Sequence, residues 1–511
     1  METITPKISR MDMVCVEQPA GPTGLIVFGA SGDLTSGKLL PSLFDLYRRE
    51  LISENFYILG CGRTEMSDEQ FSQFAAEAIE KDAGKAADHA KKFTQKCHFI
   101  NGDYDDAAFY EKLKNRIEEL NRQHKVESNL IFYLSVPPFL YPVVVAQLGA
   151  GGLVSPESKL VVEKPFGHDL QSAQQLNEII SRTFRESQVY RIDHYLGKET
   201  VQNILMFRFA NAIFEPIWNR NYIDHIQITI AESSGIGHRA GYYDENGALR
   251  DMFQNHVLQM LALVAMEPPT SFEADRVRDE KIKLLRAIRP IGFEPWSAQI
   301  VKGRYTAGQI DGKDVCGYLQ EKGIPADSQT ETYIAAKLLI DNWRWRGVPF
   351  YVRSGKRLAA KDTEIVITFR HVPHSMFLSA GLEELPPNIL TLQIQPQEGI
   401  SLQFQAKQPG SKICMSTLDM RFNYADVFAV QMPEAYSRLL LDAMLGDQTL
   451  FNRYDSVETA WKLLAPVLQK WQDSDIPLYE YPAGAQSFAA ADNLIESDGR
   501  KWQPIGISQQ K

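Results

Sequence analysis

Leu25-Ile26-Val27-Phe28-Gly29-Ala30-Ser31-Gly32-Asp33-Leu34 runs from four apolar residues straight into a turn containing two glycines. A continuous apolar burst that stops at glycine reads as a strand buried on both faces, the mark of a parallel sheet. From Lys38 to Arg49, apolar side chains fall at 39, 40, 43, 44, 46 and 47, which is helical spacing. Strand, glycine turn and helix in this order present helix-start N–H groups to a dinucleotide pyrophosphate. Gly29 permits the tight turn and Gly32 lets the backbone come close to phosphate. Gly29, Ala30, Ser31, Gly32, Asp33 and Leu34 are therefore candidate cofactor residues. The spacing is Gly-x-x-Gly, and an ordinary strand-to-helix turn would look the same in isolation.

The pattern continues outward. Phe56-Tyr57-Ile58-Leu59 reads as a second strand, followed by a helix with Ser67 at its N-cap. Asn129–Leu134 and Leu160-Val161-Val162 extend the alternation, which predicts a Rossmann-like, doubly wound parallel α/β sheet over residues 24–200, after a loosely held tail at 1–23. Beyond residue 200 the period becomes two. Ile226, Ile228 and Ile230 alternate with polar residues, as do Leu392 and Ile394, then Leu402 and Phe404, across the turn Pro396-Gln397-Glu398-Gly399. A second, α+β domain over 201–511 is expected, with a large, mainly antiparallel, half-buried sheet backed by helices such as 247–265 and 433–445.

Composition narrows the function. With 511 residues, 44% hydrophobic and 23% charged, the chain is an ordinary globular one of several domains. A net charge of −10 argues against nucleic acid as a partner, so phosphate affinity must come from local cations. No run of 18 apolar residues suggests a membrane span, and the start Met1–Pro6 lacks the pattern of a signal peptide. Five scattered cysteines (15, 61, 97, 316 and 414) include no Cys-x-x-Cys pair. They fit reduced thiols in the cytoplasm and argue against a zinc site or disulfide framework.

Five segments carry the chemistry. At the end of the second strand, Gly60-Cys61-Gly62-Arg63-Thr64 puts an arginine where an NAD enzyme usually has an acid, which favours the 2′-phosphate of NADP, and Lys38 could add charge. Glu163-Lys164-Pro165-Phe166-Gly167 sets Lys164 at the carboxyl end of a strand, facing the ligand crevice. Arg191-Ile192-Asp193-His194-Tyr195-Leu196-Gly197-Lys198-Glu199 crowds ionisable groups after an apolar-leaning run. His194, Tyr195 and Lys198 could hold a phosphate dianion, with His194 and Lys198 on one face of a helix starting near Tyr195. Asp193 is then left to orient an imidazole from elsewhere. The amphipathic stretch 247–265 offers His256, with Asp251 about 140° away around an α-helix, lining the same cleft without touching it. A basic loop, Arg353 to Lys361, supplies Lys356 and Lys361, though alone it reads equally as a solvated face.

Taken together and in this order, the segments resemble the glucose-6-phosphate dehydrogenase family from about residue 24 to about 505. The resemblance implies that His256, in Gln254-Asn255-His256, is the general base and Asp193 its carboxylate partner. It implies phosphate binding by His194, Tyr195 and Lys198, and sugar contacts by Glu232, Asp251, Lys356, Lys361 and Gln395. Arg63 and Lys38 match cofactor positions, Lys164 touches both ligands, and Tyr133 and Asp103-Tyr104 lie near the cofactor. The implied reaction oxidises D-glucose 6-phosphate at C1 to 6-phospho-D-glucono-1,5-lactone with reduction of NADP, the first step of the oxidative pentose phosphate pathway. No metal is implied, and the expected assembly is a homodimer or homotetramer joined through the antiparallel sheet. Thr35-Ser36-Gly37 stands where the family often carries further basic residues, so some use of NAD is expected. Asp362–Phe369 holds no Lys or Arg, so a second, structural NADP is not expected. Two rivals are a sugar oxidoreductase of the glucose–fructose oxidoreductase type, which shares Glu-Lys-Pro but lacks the Arg191–Glu199 block, and a catalytically silent NADP(H)-sensing or scaffold protein.

Overall fold

The protein is described here from a computed structural model covering residues 18–83, 86–292, 295–377, 385–410, 414–428, 434–473 and 476–506. Most of the expected N-terminal tail, with Cys15, lies outside these residues. The part that is described is not loose, because Ala20 is buried and bridges to Ile52.

The apolar bursts become six parallel strands: β1 (Thr23–Phe28), β2 (Phe56–Gly62), β3 (Cys97–Asn101), β4 (Leu130–Leu134), β5 (Lys159–Val162) and β6 (Val189–Arg191). Their order in the sheet is β3-β2-β1-β4-β5-β6. Every residue of β1 is buried, with Leu25 opposite Ile58 on one side and Ile131 on the other. A strand flanked by two others and covered on both faces has no exposed side, hence the unbroken Leu-Ile-Val-Phe. The winding direction reverses between β1 and β4, which opens a crevice at the carboxyl ends of those strands. Ser67 caps the helix after β2 as expected, its Oγ accepting the N–H of Gln70 at 3.3 Å while Gln70 Oε1 accepts the N–H of Ser67 at 2.8 Å.

A short hairpin, β9 (Gly308–Ile310) with β10 (Lys313–Val315), stands apart from a nine-stranded sheet. The large sheet contains β7 (Ile223–Ala231), β8 (Ile300–Thr306), β11 (Tyr333–Leu339), β12 (Pro349–Gly355), β13 (Asp362–Phe369), β14 (Ile389–Gln395), β15 (Gly399–Lys407), β16 (Met415–Asn423) and β17 (Leu478–Pro482). It runs β16-β15-β14-β13-β7-β12-β11-β8-β17, antiparallel except for the pairs β7/β12 and β8/β17.

Two expectations need correction. The centre of this sheet is not half-buried. Ile226, Ile228 and Ile230 enter the main core, but His225, Gln227 and Thr229 on the opposite face are buried too. The chain after residue 496 lies across that face. Gln227 Nε2 donates to the Lys501 carbonyl at 2.9 Å, the Gln503 N–H donates to Gln227 Oε1 at 2.9 Å, and the Gly506 N–H donates to Asp362 Oδ2 at 2.6 Å. Buried Arg353 reaches the Gln503 carbonyl, and Arg500 pairs with Asp224. Polar side chains survive burial there because each finds a hydrogen-bond partner, backbone for Gln227, Arg353 and Asp362 and side chain for His225 and Thr229.

The second correction concerns 433–445. Residue 433 lies outside the described residues, and the helix Ala435–Leu445 packs on Leu40–Arg48 of the parallel-sheet unit instead of backing the antiparallel sheet. Lys159 Nζ and Asn129 Nδ2 bind the Met444 carbonyl near its end, at 2.8 and 3.3 Å. The helix Tyr454–Gln472 likewise packs on Leu170–Thr183. The stretch 247–265 is a π-helical turn, Leu249–Val257, continued by the α-helix Leu258–Ala265, and it is buried nearly all round. Its last carbonyls are held by Trp218 Nε1 on Val264 (2.8 Å), Trp345 Nε1 on Ala265 (2.7 Å) and Arg208 on Leu263 and Met266 (3.0 and 2.9 Å).

Candidate active site

At the end of β1, Gly29 adopts φ +84°, and a Cβ there would stand 2.1 Å from the Ser135 carbonyl oxygen, so only glycine fits. Its N–H is shared between the Cys61 carbonyl and Tyr104 Oη, both at 2.9 Å, and Tyr104 Oη donates to the Cys61 carbonyl at 3.0 Å. Tyr104 therefore braces the turn from inside, while Asp103 beside it is exposed. Ser31, Gly32 and Asp33 are exposed, and the N–H groups of Ser31, Asp33 and Leu34 have no partner among the described residues. Free first-turn donors beside the crevice fit the pyrophosphate of a nicotinamide dinucleotide.

Arg63 follows the last residue of β2, exposed and without an ion pair among the described residues. Lys38 is turned elsewhere. Its Nζ pairs with Glu434 Oε2 at 3.1 Å on the surface, and it lies within electrostatic range of Lys198. Tyr133 is fully buried and donates to Glu163 Oε1 at 2.5 Å, so it supports the strand ends from within the fold. Burial pushes the Glu163 carboxyl up, against the hydrogen bonds of Tyr133 and Tyr436.

The decisive contact joins Asp193 and His256, 63 residues apart in sequence. His256 Nδ1 stands 2.5 Å from Asp193 Oδ1, with the imidazole 0% and the carboxylate 1% exposed. Asp193 also accepts the Tyr195 N–H at 3.0 Å. Burial disfavours its charge, but His256, His194 and the Tyr195 N–H together outweigh that and hold Asp193 down at about 2. Burial lowers His256 below the ordinary histidine value in spite of Asp193, so the ring is neutral at physiological pH. A neutral ring whose Nδ1–H faces a carboxylate leaves its lone pair on Nε2, and that buried atom has no partner. Asp193, His194 and His256 have ligand-type atoms within 4.8 Å of one another, and the short dyad bond occupies one of each partner's atoms.

The backbone around these groups departs from the expected helix. Tyr195 gives its N–H to the Asp193 carboxylate, the Leu196 N–H bonds the Asp193 carbonyl and the Lys198 N–H bonds the Tyr195 carbonyl. Residues 193–198 thus form turns, since a side chain that captures backbone N–H groups competes with a helix. The helix runs Glu199–Phe209, and Glu398 from the β14–β15 turn accepts the Thr200 N–H at 2.7 Å near its start. His194 and Lys198 consequently share no helix face. They still converge, since Lys198 is within electrostatic range of His194, with its Nζ 4.8 Å over the Tyr195 ring and donating to Gln395 Oε1 at 2.5 Å. Gln395 Nε2 in turn donates to Tyr195 Oη at 3.2 Å. Burial lowers Lys198 to about 8 and puts His194 well below the usual histidine range. Exposed Lys361 is within electrostatic range of Lys198.

The π-helical turn corrects the angular argument for Asp251. Bonding from i to i+5 brings residues five apart towards one side, where an α-helix would hold them about 140° apart. Asp251 and His256 therefore both face Lys164, whose Nζ donates to the Asp251 carbonyl and Oδ1 at 2.9 Å each. Burial works against the Lys164 charge, but Asp251 keeps its pKa above the ordinary value, while Lys164 and Lys356 hold Asp251 well below its own. At the ends of β7 and β12, Glu232 and buried Lys356 form an ion pair, with Lys356 Nζ 5.0 Å over the Tyr243 ring.

Some participants gave no readable sign. Tyr436 stacks on His194 at a centroid distance of 6.4 Å and 10° while hydrogen-bonding Glu163. A lone aromatic on a helix carries no such signal. Glu398 sits in a segment that reads only as a turn. Glu163 stood in the quoted Glu-Lys-Pro motif, and its adjacency to Lys164 was the available hint.

Comparison with known proteins gives the chain a family. The family model described as the NAD binding domain of glucose-6-phosphate dehydrogenase matches residues 26–203, and that for its C-terminal domain matches 205–503. The chain is 48% identical to glucose-6-phosphate 1-dehydrogenase of Aggregatibacter actinomycetemcomitans over 95% of its own length and 98% of that protein. It is 44% identical to the enzyme of Treponema pallidum (strain Nichols), over 94% and 95%. A solved glucose-6-phosphate dehydrogenase in complex with its substrate glucose-6-phosphate superposes with a TM-score of 0.88 at 36% identity, covering 96% of this chain and 100% of that one. The chain belongs to the glucose-6-phosphate dehydrogenase family.

Proposed function

We propose that this oxidoreductase oxidises D-glucose 6-phosphate at C1 to 6-phospho-D-glucono-1,5-lactone with His256 as general base, Asp193 as its orienting partner and NADP as preferred cofactor. The family to which the chain belongs catalyses the first step of the pentose phosphate pathway. The observation that carries the residue-level reading is the unpartnered, buried Nε2 of an imidazole held at Nδ1 by a buried carboxylate.

His256 Nε2 takes the proton of the C1 hydroxyl, and Asp193 stabilises the imidazolium that results. Lys198, His194, Tyr195 and Lys361 bind the phosphate, far from C1, so that charge contacts there orient the reacting carbon. Lys356 donates and Glu232 accepts at ring hydroxyls, with Gln395 bridging Tyr195 and Lys198. Lys164, fixed by Asp251, stands between sugar and cofactor. A nicotinamide dinucleotide, when bound, supplies the hydride acceptor. Gly29–Leu34 would hold its pyrophosphate and Arg63 the 2′-phosphate; with Lys38 drawn to Glu434, preference for NADP leans on Arg63, which leaves room for some use of NAD.

One dinucleotide per chain is expected, since β13 offers the buried carboxyls Asp362 and Glu364 and no cation. Residues 24–200 are assigned to cofactor binding and 201–511 to substrate binding and to self-assembly as a homodimer or homotetramer through the antiparallel sheet, where Leu418 and Met420 lie exposed on β16. No helix among the described residues is long and apolar enough to cross a membrane, and buried Cys61 and Cys97 suit a reducing cytoplasm.

The test is His256→Asn, assayed by absorbance at 340 nm with glucose 6-phosphate and NADP. Loss of a general base should lower kcat by about 10²–10⁴-fold with a modest change in KM. A variant with near wild-type kcat removes His256 from the role.

A further inference from the structure

Glu331 lies just before β11, 4% exposed and 75 residues beyond His256 in sequence. Its Oε1 accepts the N–H of Leu249 at 2.9 Å, and its backbone carbonyl accepts the N–H of Ala248 at 3.1 Å. Those are the leading donors of the helical run that carries Asp251 and His256. Gly247, immediately before, adopts φ +65°, and a Cβ on it would stand 2.3 Å from Glu331 Oε1. The carboxylate therefore occupies the room that a side chain at 247 would need. Burial pushes this carboxyl up to about 7, against its hydrogen bond from the Leu249 N–H. Tyr243, Lys302 and Arg250 lie within its electrostatic reach. With Trp218, Trp345 and Arg208 on the last carbonyls, the run is fixed at both ends.

We infer that Glu331 is a positioning residue for catalysis: by holding the Leu249 N–H it sets the level of the π-helical turn, and so the heights at which His256 meets Asp193 and Asp251 meets Lys164. A π-turn leaves the helix an alternative, since slipping by one residue into α-helical bonding would swing His256 away from Asp193. An anchored first donor prevents that slip. The kinetic arm of the test rests on His256 as base, whereas the spectroscopic arm does not.

The test compares E331A, which loses the acceptor, with E331Q, whose amide oxygen keeps it. The readouts are kcat and the downfield proton resonance of His256 Nδ1–H, which a 2.5 Å bond to Asp193 deshields. E331A should lower kcat by about 10- to 100-fold, the scale of an ångström misplacement, and shift or abolish the resonance, with KM for NADP little changed. E331Q should keep both near wild type. If E331A does not fold, E331D, which draws the oxygen back by one methylene, is read the same way. An E331A (or, in that case, E331D) enzyme with wild-type kcat and an unmoved resonance overturns the inference, as does an E331Q as damaged as E331A. Should H256N remain active, the base assignment falls while the resonance still decides the role of Glu331.

Discussion

Asp193→Asn replaces one buried oxygen by an NH₂ group and alters almost nothing in volume, which makes it the most discriminating change available. The carboxylate is 1% exposed and held at about 2, against 3.8 for an ordinary aspartate, so its ionised form gains roughly 2 kcal/mol from its surroundings, His256 the largest favourable contributor. An amide removes that attraction for the imidazolium. Asp193 Oδ1 accepts both the Tyr195 N–H and the His256 Nδ1–H while Oδ2 has no partner, so the amide oxygen takes the Oδ1 place, the NH₂ takes the Oδ2 place, and the ring keeps its lone pair on Nε2. The loss of the carboxylate charge predicts a fall in kcat of roughly 30-fold. KM for glucose 6-phosphate should change little, because the phosphate groups are untouched. Steady-state rates at 340 nm measure the loss, and ¹⁵N chemical shifts of the His256 ring report the tautomer directly. A variant within threefold of wild type, or one whose ring carries its proton on Nε2, would refute the coupling of Asp193 to His256.

Two further outcomes follow from the binding groups. Arg63→Ala should raise KM for NADP by about 10- to 100-fold, the worth of a charged hydrogen bond, and leave KM for NAD nearly unchanged; equal effects on both would take Arg63 off the 2′-phosphate. Lys198, lowered by burial to about 8, is charged below that pH and neutral above it, so KM for glucose 6-phosphate should climb above pH 8 by up to about tenfold per unit. The Lys198→Met enzyme should show a high KM without that climb, and a wild-type KM flat to pH 9.5 would exclude Lys198 from the phosphate site.

The parallel sheet was legible because β1, β2 and β4 are apolar runs too short for helices and end at turn residues, a pattern that burial on both faces demands. Docking partners were less legible. The apolar face of Ala435–Leu445 announces that something covers it, not whether that is the antiparallel sheet or the helix Leu40–Arg48. Nor does a period-two pattern say that Gln227 will find its own cover in a segment 274 residues away. In the site, His256 and Asp193 were legible as chemistry and through the resemblance, but their contact spans 63 residues and no spacing rule reaches that far. The geometric errors had one source: assuming α-helical rotation for 249–257 and for 195–198, where bonding from i to i+5 in one case and capture of the Tyr195 N–H by Asp193 in the other set a different path.

The strand-crossing segment at 498–506 bears on how the enzyme comes into being. Every group proposed to touch sugar or cofactor has been made by residue 395, yet the loop bearing Lys356 and Lys361 is tied down by later arrivals: Ala485 and Gly484 bond the backbone at 359 and 357, and Gly506 bonds Asp362. During synthesis a complete set of reactive groups therefore waits, unassembled, while the 111 residues from 396 to 506 are added. The sugar site is thus completed late in synthesis, after all of its own residues are in the chain.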